Sequence, residues 1–205
     1  MSNTSSSRID TREHLLDAAQ QLVQQASYDG FRFRDLAEQV GIRKASIYHH
    51  FPSKEALAVA MLERARDGIV RWSQSKAGLA PVKRLEAYCF DLYLGWLGAG
   101  TRLCPAGAFS SSWSALPDSL QRAVKAVFRE QRQFLEAALE AGIADGSIDD
   151  TRGSAPELAE WMMAAVQGAL VTARINVDAK SNTRKAGEAT FTRICQQTLG
   201  YLRRK

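Results

Sequence analysis

Apolar residues in this 205-residue chain return every three or four positions along most of its length, and no stretch sustains an alternation of two. A period near 3.6 lines one face of an α-helix, whereas a half-buried strand needs a period of two. The clearest stripes are Leu15, Ala18, Leu22 and Val23, then Leu57, Met61, Ala65 and Ile69, then Leu158, Met162, Val166 and Leu170. The expected fold class is therefore all-α.

One short stretch departs from plain amphipathic patterning. Phe33, Leu36, Ala37 and Val40 run at helical spacing into Gly41, a residue suited to the left-handed position that ends a helix. Beyond the turn, Ile47 and Phe51 lie one helical repeat apart and can pin a second short helix to a core. Lys44, Ala45, Ser46, Tyr48 and His49 are left on its outer surface. Helix, glycine turn, then a helix presenting basic, hydroxyl and aromatic groups is the sequence form of a helix-turn-helix. Its chemistry suits a DNA groove: lysines pair with phosphates or base acceptors, hydroxyls donate to phosphate oxygens, and a small alanine permits close approach.

This stretch resembles the recognition segment of the TetR family of bacterial transcriptional regulators. The resemblance is carried by Asp35-Leu36-Ala37, Gly41-Ile42, Ala45-Ser46-Ile47-Tyr48, His50-Phe51 and Ser53-Lys54-Glu55-Ala56-Leu57, within an ungapped span of about Arg12 to Leu62. It implies double-stranded DNA as a partner, contacted through Arg34, Lys44, Ala45, Ser46, Tyr48, His49, His50 and Lys54. Arg32 and Arg43 stand where the family often has a capping hydroxyl; each swap removes a cap worth about 1 kcal/mol and adds a positive charge. The resemblance further implies an N-terminal three-helix DNA-binding domain, a linking helix, and a C-terminal helical domain that binds an effector and forms a homodimer.

The boundaries expected are a disordered tail over 1–10, the DNA-binding domain over 11–54, the linking helix over 55–76 and the effector and dimerisation domain over 77–205. Asp10 with Glu13 would open the first helix as a capping box. Tyr93, Trp96, Phe109, Trp113 and Phe128 are the candidate lining of an effector pocket. Cys104 joins them: Pro105 suits a first helical position, which would set the thiol at a helix cap. In the family the last two helices pair across a dimer, which makes Leu158, Met162, Val166, Leu170, Ile194, Thr198 and Tyr201 the candidate interface.

Composition narrows the alternatives. The net charge is +5, and through Arg66 nine Lys and Arg face eight Asp and Glu, so the positive charge is too local for a DNA-packaging protein. No glycine-rich phosphate loop, metal motif or nucleophile elbow is present, so neither an enzyme nor a cofactor or metal site is expected. His49 and His50 are adjacent and point to different sides of a helix, a poor arrangement for a shared metal. Three cysteines, the absence of a long apolar run and a polar N-terminus fit a reducing, cytoplasmic setting without a membrane anchor. The expectation is a dimeric repressor released from a palindromic operator by a small lipophilic or electrophilic effector. The alternatives are a small-molecule-binding helical protein with no DNA function, and a thiol-based redox sensor acting through Cys104.

Overall fold

The computed structural model describes residues 3–94, 102–176 and 184–204. Every named element within them is helical, and the one bridge of extended type joins Ile148 to Arg203. The helices are α1 (Asn3–Gly30), α2 (Phe33–Val40), α3 (Lys44–Tyr48), α4 (Lys54–Ser75), α5 (Pro81–Ala87, continued by a π-helical turn Tyr88–Tyr93), α6 (Asp118–Ala144), α7 (Ala155–Ile175) and α8 (Arg184–Leu202). A 3₁₀ helix, Gly107–Ala115, precedes α6.

The N-terminal expectation needs correction. The first helix begins at Asn3, so the expected tail over 3–10 is helical and Asp10 lies inside the helix, not ahead of its first turn. A polar composition disfavours burial without forbidding a helix, and no Pro or Gly interrupts this run before Gly30. The helix kinks at Ser27, whose φ of 64° and ψ of 176° lie in a region that favours glycine.

The chain packs as two compact units. The first draws on the stretch ending at Asp67 and on Pro105–Val127; the second draws on Gly68–Cys104 and the described residues from Phe128 onward. The functional boundary read at 76/77 therefore does not coincide with the packing. α4 ends at Ser75, just before that boundary, and runs unbroken through the division at Asp67–Gly68; the 3₁₀ helix belongs with α1.

In the first unit Leu15, Leu16, Val23, Leu36, Ile47, Leu57, Met61 and Leu62 form a buried core, joined by Phe109 and Leu120 from the second stretch. In the second unit α7 packs against α8, and Leu158, Met162, Val166, Leu170, Phe191 and Cys195 of these helices are buried. Gly142 is required there, because a Cβ would meet the Ile148 side chain at 2.4 Å.

Gly41 has φ 73° and ψ 31°, and nothing lies within 4 Å of a Cβ built on it. Gly41→Ala should therefore lose about 1 kcal/mol of stability through backbone strain alone. Urea unfolding measures this, and an unchanged midpoint would remove the left-handed turn from the account.

Candidate nucleic-acid interface

Three buried side chains of α2 (Phe33, Leu36 and Ala37) hold it to the first unit's core. Its start lacks a hydroxyl cap, but the loss is partly made up. Asp35 Oδ2 accepts the Arg32 backbone N–H at 2.7 Å, which is the reciprocal half of a capping box; the arginine side chain has no acceptor with which to complete the other half. At the far end the N–H groups of Gly41 and Ile42 both donate to the Ala37 carbonyl, at 2.9 and 3.0 Å. That closes the turn and aims α3.

α3 is only five residues long, so its geometry comes from packing more than from its own hydrogen bonds. Ile47 is fully buried and Phe51 nearly so, and the N–H groups of His50 and Phe51 donate to the Ile47 carbonyl at 2.9 and 2.8 Å. With that face fixed, Lys44, Ala45, Tyr48 and His49 are exposed, and Ser46 and His50 are half-buried. Tyr48 is 49% exposed, with its ring edge on Phe33 at a centroid distance of 5.2 Å. Arg34 is exposed on α2 and makes a loose ion pair with Glu38 at 3.8 Å.

Ser53 caps α4, its Oγ accepting the Ala56 N–H at 3.0 Å. The next residue, Lys54, is not a free surface cation. Its Nζ lies 4.4 Å from the Tyr28 ring centroid and 4.7 Å from that of Phe31, and burial is the main cause lowering its pKa. Tyr28 stacks in turn on Phe109 at 5.4 Å. Ser112 donates to Asp29 and Ser119 to Glu55, so the 3₁₀ helix and the start of α6 are tied to the end of α1 and to the start of α4.

The candidate effector residues are divided between the two units. Phe109 is buried against Tyr28 in the first unit; Trp113 is half-buried there, with Lys125 Nζ 5.6 Å from its ring centroid. Tyr93 and Cys104 are fully buried in the second unit, Phe128 is half-buried, and Trp96 lies outside the described residues.

Cys104 is not at a helix cap either. The 3₁₀ helix starts at Gly107 after a turn at Pro105–Ala106, so the helix-end argument for a thiolate fails. Cys89 and Cys195 are paired core thiols. The hydrogen bond between them, and then burial, hold Cys89 far above the ordinary thiol range.

What sequence reading missed is a buried polar cluster on α5, α6 and α7. The Tyr88 hydroxyl donates to Gln131 Oε1 at 3.0 Å, the Tyr93 hydroxyl donates to the same oxygen, and Gln167 Nε2 donates to the Tyr93 oxygen at 2.9 Å. The signal was available: Gln131 interrupts the inward series Val124, Val127, Leu135, Ala138 of α6.

The candidate interface residues are mostly covered by the chain itself. Leu158, Met162, Val166, Leu170 and Thr198 are buried within the single chain, and Ile194 is half-buried; of that set only Tyr201 is exposed, at 45%. α7 carries a second apolar stripe on its outer face: Trp161, Ala164, Gly168, Val171 and Ile175, all exposed. Trp161 lies beside Tyr201, with ring centroids 5.0 Å apart.

Comparison with known proteins agrees with this geometry. Residues 15–61 match the family described as bacterial regulatory proteins, tetR family, and residues 81–186 match a tetracyclin repressor-like C-terminal domain. A transcriptional regulator of the TetR family from Agrobacterium tumefaciens superposes with a TM-score of 0.84 at 31% identity, covering 95% of this chain and 98% of that one. The reduced form of Escherichia coli NemR superposes with a TM-score of 0.73 at 28% identity, covering 94% and 97%. In sequence, the transcriptional repressor DhaR of Mycobacterium sp. (strain GP1) is 29% identical over 172 residues, 82% of this chain and 84% of the relative.

Proposed function

Because the chain belongs to the TetR family of bacterial regulatory proteins, and is thus a DNA-binding transcriptional regulator and not an enzyme, we propose that it acts as a homodimeric repressor of a palindromic operator, released by a small effector. The observation that carries this reading is the outer face of α3. Lys44, Ala45, Tyr48 and His49 are exposed because Ile47 and Phe51 are buried behind them. In the proposed complex α3 enters the major groove, Ala45 permits close approach, and Lys44 and Tyr48 reach phosphates and base edges. Ser46 and His50 flank that contact, and Arg34, Arg43 and Lys54 meet the backbone on either side.

The outer stripe of α7 supports the dimer. A Cβ on Gly168 meets nothing within 4 Å in the chain itself, so this glycine leaves room for the close approach of a second helix. Two-fold pairing there would set two α3 helices about one helical turn of DNA apart, roughly 34–36 Å. No described helix is long and apolar enough to cross a membrane, in keeping with work on DNA in the cytoplasm.

Effector release follows from linkage: a ligand that prefers a conformation with another α3 spacing must weaken DNA binding. Three segments of chain pass directly from the second unit to the first, at Asp67–Gly68 in α4, at Cys104–Pro105, and at Val127–Phe128 in α6. Each can transmit a change in the second unit to the reading head.

Lys54 gives the experiment that separates holding from reading. Its ring contacts are worth about 1 kcal/mol, and a phosphate contact would add about one unit to the slope of log K against log salt. Lys54→Ala should therefore lower both thermal stability and the salt slope for an operator duplex. A stability loss with an unchanged slope would take Lys54 out of the interface, and wild-type protein with no affinity for DNA would remove the proposed function.

A further inference from the structure

A groove of about 320 Å³ lies within the first unit, between α4 and the start of α6. Each helix gives it one face at helical spacing: α4 presents Val59, Leu62 and Glu63, and α6 presents Arg122, Ala123 and Ala126. The space is there because Ala123 and Ala126 end at Cβ, where longer side chains would close the gap between the helices. Leu62 is fully buried, and Val59, Ala123 and Ala126 are half-buried, which makes the floor apolar. Glu63 and Arg122 are exposed at its rim, one on each helix.

Opposite charges on neighbouring helices commonly meet as a salt bridge, but these two do not. Neither Glu63 nor Arg122 makes an ion pair or hydrogen bond with another described residue. The second cation of the groove, Arg66, is held by its neighbour Asp67, its Nε and Nη2 donating to Oδ1 at 3.1 and 2.7 Å, so those charges offset each other. The groove therefore offers one carboxylate, one guanidinium and an apolar floor. A simple anion there would meet the repulsion of Glu63, and a simple cation that of Arg122; a zwitterion complements both. The volume is near the lower end for small-molecule sites, which suits a molecule of amino-acid size and not a long acyl chain. We propose that this groove binds an apolar α-amino acid, with its ammonium on Glu63, its carboxylate on Arg122 and its side chain over Leu62, Ala123 and Ala126. Occupancy reaches the reading head through Ser119, which also lines the groove and donates to Glu55, the residue after Lys54 at the start of α4. In that respect the inference rests on the reading of the chain as an effector-released regulator.

Leucine, isocaproate and isoamylamine share one branched body and carry both charges, the anion alone and the cation alone. Titrated into the full-length protein by NMR, leucine should bind two- to fivefold more tightly than either analogue, the upper range for partly exposed ion pairs. Glu63→Gln should erase the preference for leucine over isocaproate, and Arg122→Gln the preference over isoamylamine. Both residues are exposed, so neither change threatens the fold. Ala126→Leu fills the groove and should abolish binding. Anisotropy with a labelled operator duplex should show release by leucine from wild type but not from Ala126→Leu. Absence of leucine binding, tighter binding of either analogue, preferences that survive the charge substitutions, or leucine binding at unchanged operator affinity would overturn the proposal. A wild type with no affinity for DNA would instead sink the regulator reading, an outcome that the leucine titration, made without DNA, keeps separate.

Discussion

Val171→Glu should yield a folded monomer whose operator affinity is about 10²–10⁴-fold below that of wild type, the range lost when two linked half-sites no longer act together. Val171 is 48% exposed in the single chain and its neighbour on the stripe, Ile175, is 75% exposed, so a carboxylate at either position remains solvated until a partner helix covers it. Across a two-fold axis the charge meets its own copy, and two unpaired buried carboxylates are far costlier than the apolar contact they replace. Leu170→Glu is the control. Leu170 is fully buried within the single chain, so its substitution should unfold the second unit instead of separating protomers. Sedimentation at micromolar concentration with circular dichroism distinguishes these outcomes. A monomeric wild type, or a Val171→Glu protein that remains dimeric, would move the interface elsewhere.

Lys44→Ala and Tyr48→Ala should each weaken operator binding by about 1–3 kcal/mol, roughly five- to 150-fold. Their structural costs differ. Lys44 is exposed and its loss should leave the melting temperature unchanged. Tyr48 also packs its ring edge on Phe33, so Tyr48→Ala should lose a further ~0.5–1.5 kcal/mol of stability. Tyr48→Phe retains that contact and removes only the hydroxyl, so its operator affinity reports the polar contribution by itself. Anisotropy titrations with a labelled duplex, set beside thermal melts, give both quantities. Full operator affinity in both alanine variants would mean that α3 does not read DNA.

The reading head was legible because its determinants are local. Gly41 demands a turn, Ile47 and Phe51 fix which face is buried, and the outer residues follow within a single helical repeat. Other features depend on contacts distant in sequence. A stripe such as Leu158, Met162, Val166 and Leu170 says that a face is covered, but not whether by the same chain or by a copy. α7 carries two such stripes, and the one that looked like a dimer seam is buried within the single chain. The division of the pocket candidates between the two units was hidden for a related reason. Phe109 and Trp113 are aromatic and inward, as expected, but Pro105–Val127 packs with the first unit, and no local pattern records that return. Lys54 looked like a free cation because nothing near it in sequence announces the rings of Tyr28 and Phe31. Gln131 alone could have been found, as a polar residue in an otherwise apolar face.

The central claim is that two copies of α3, held by one dimer, read a symmetric DNA site. It is tested most directly by sequencing the duplexes that the wild-type protein retains from a randomised pool at physiological salt. The account predicts enrichment of an inverted repeat whose half-site centres lie about 10–10.5 base pairs apart, or a multiple of that spacing. Retention with no sequence enrichment, or enrichment of a single half-site without two-fold symmetry, would contradict it.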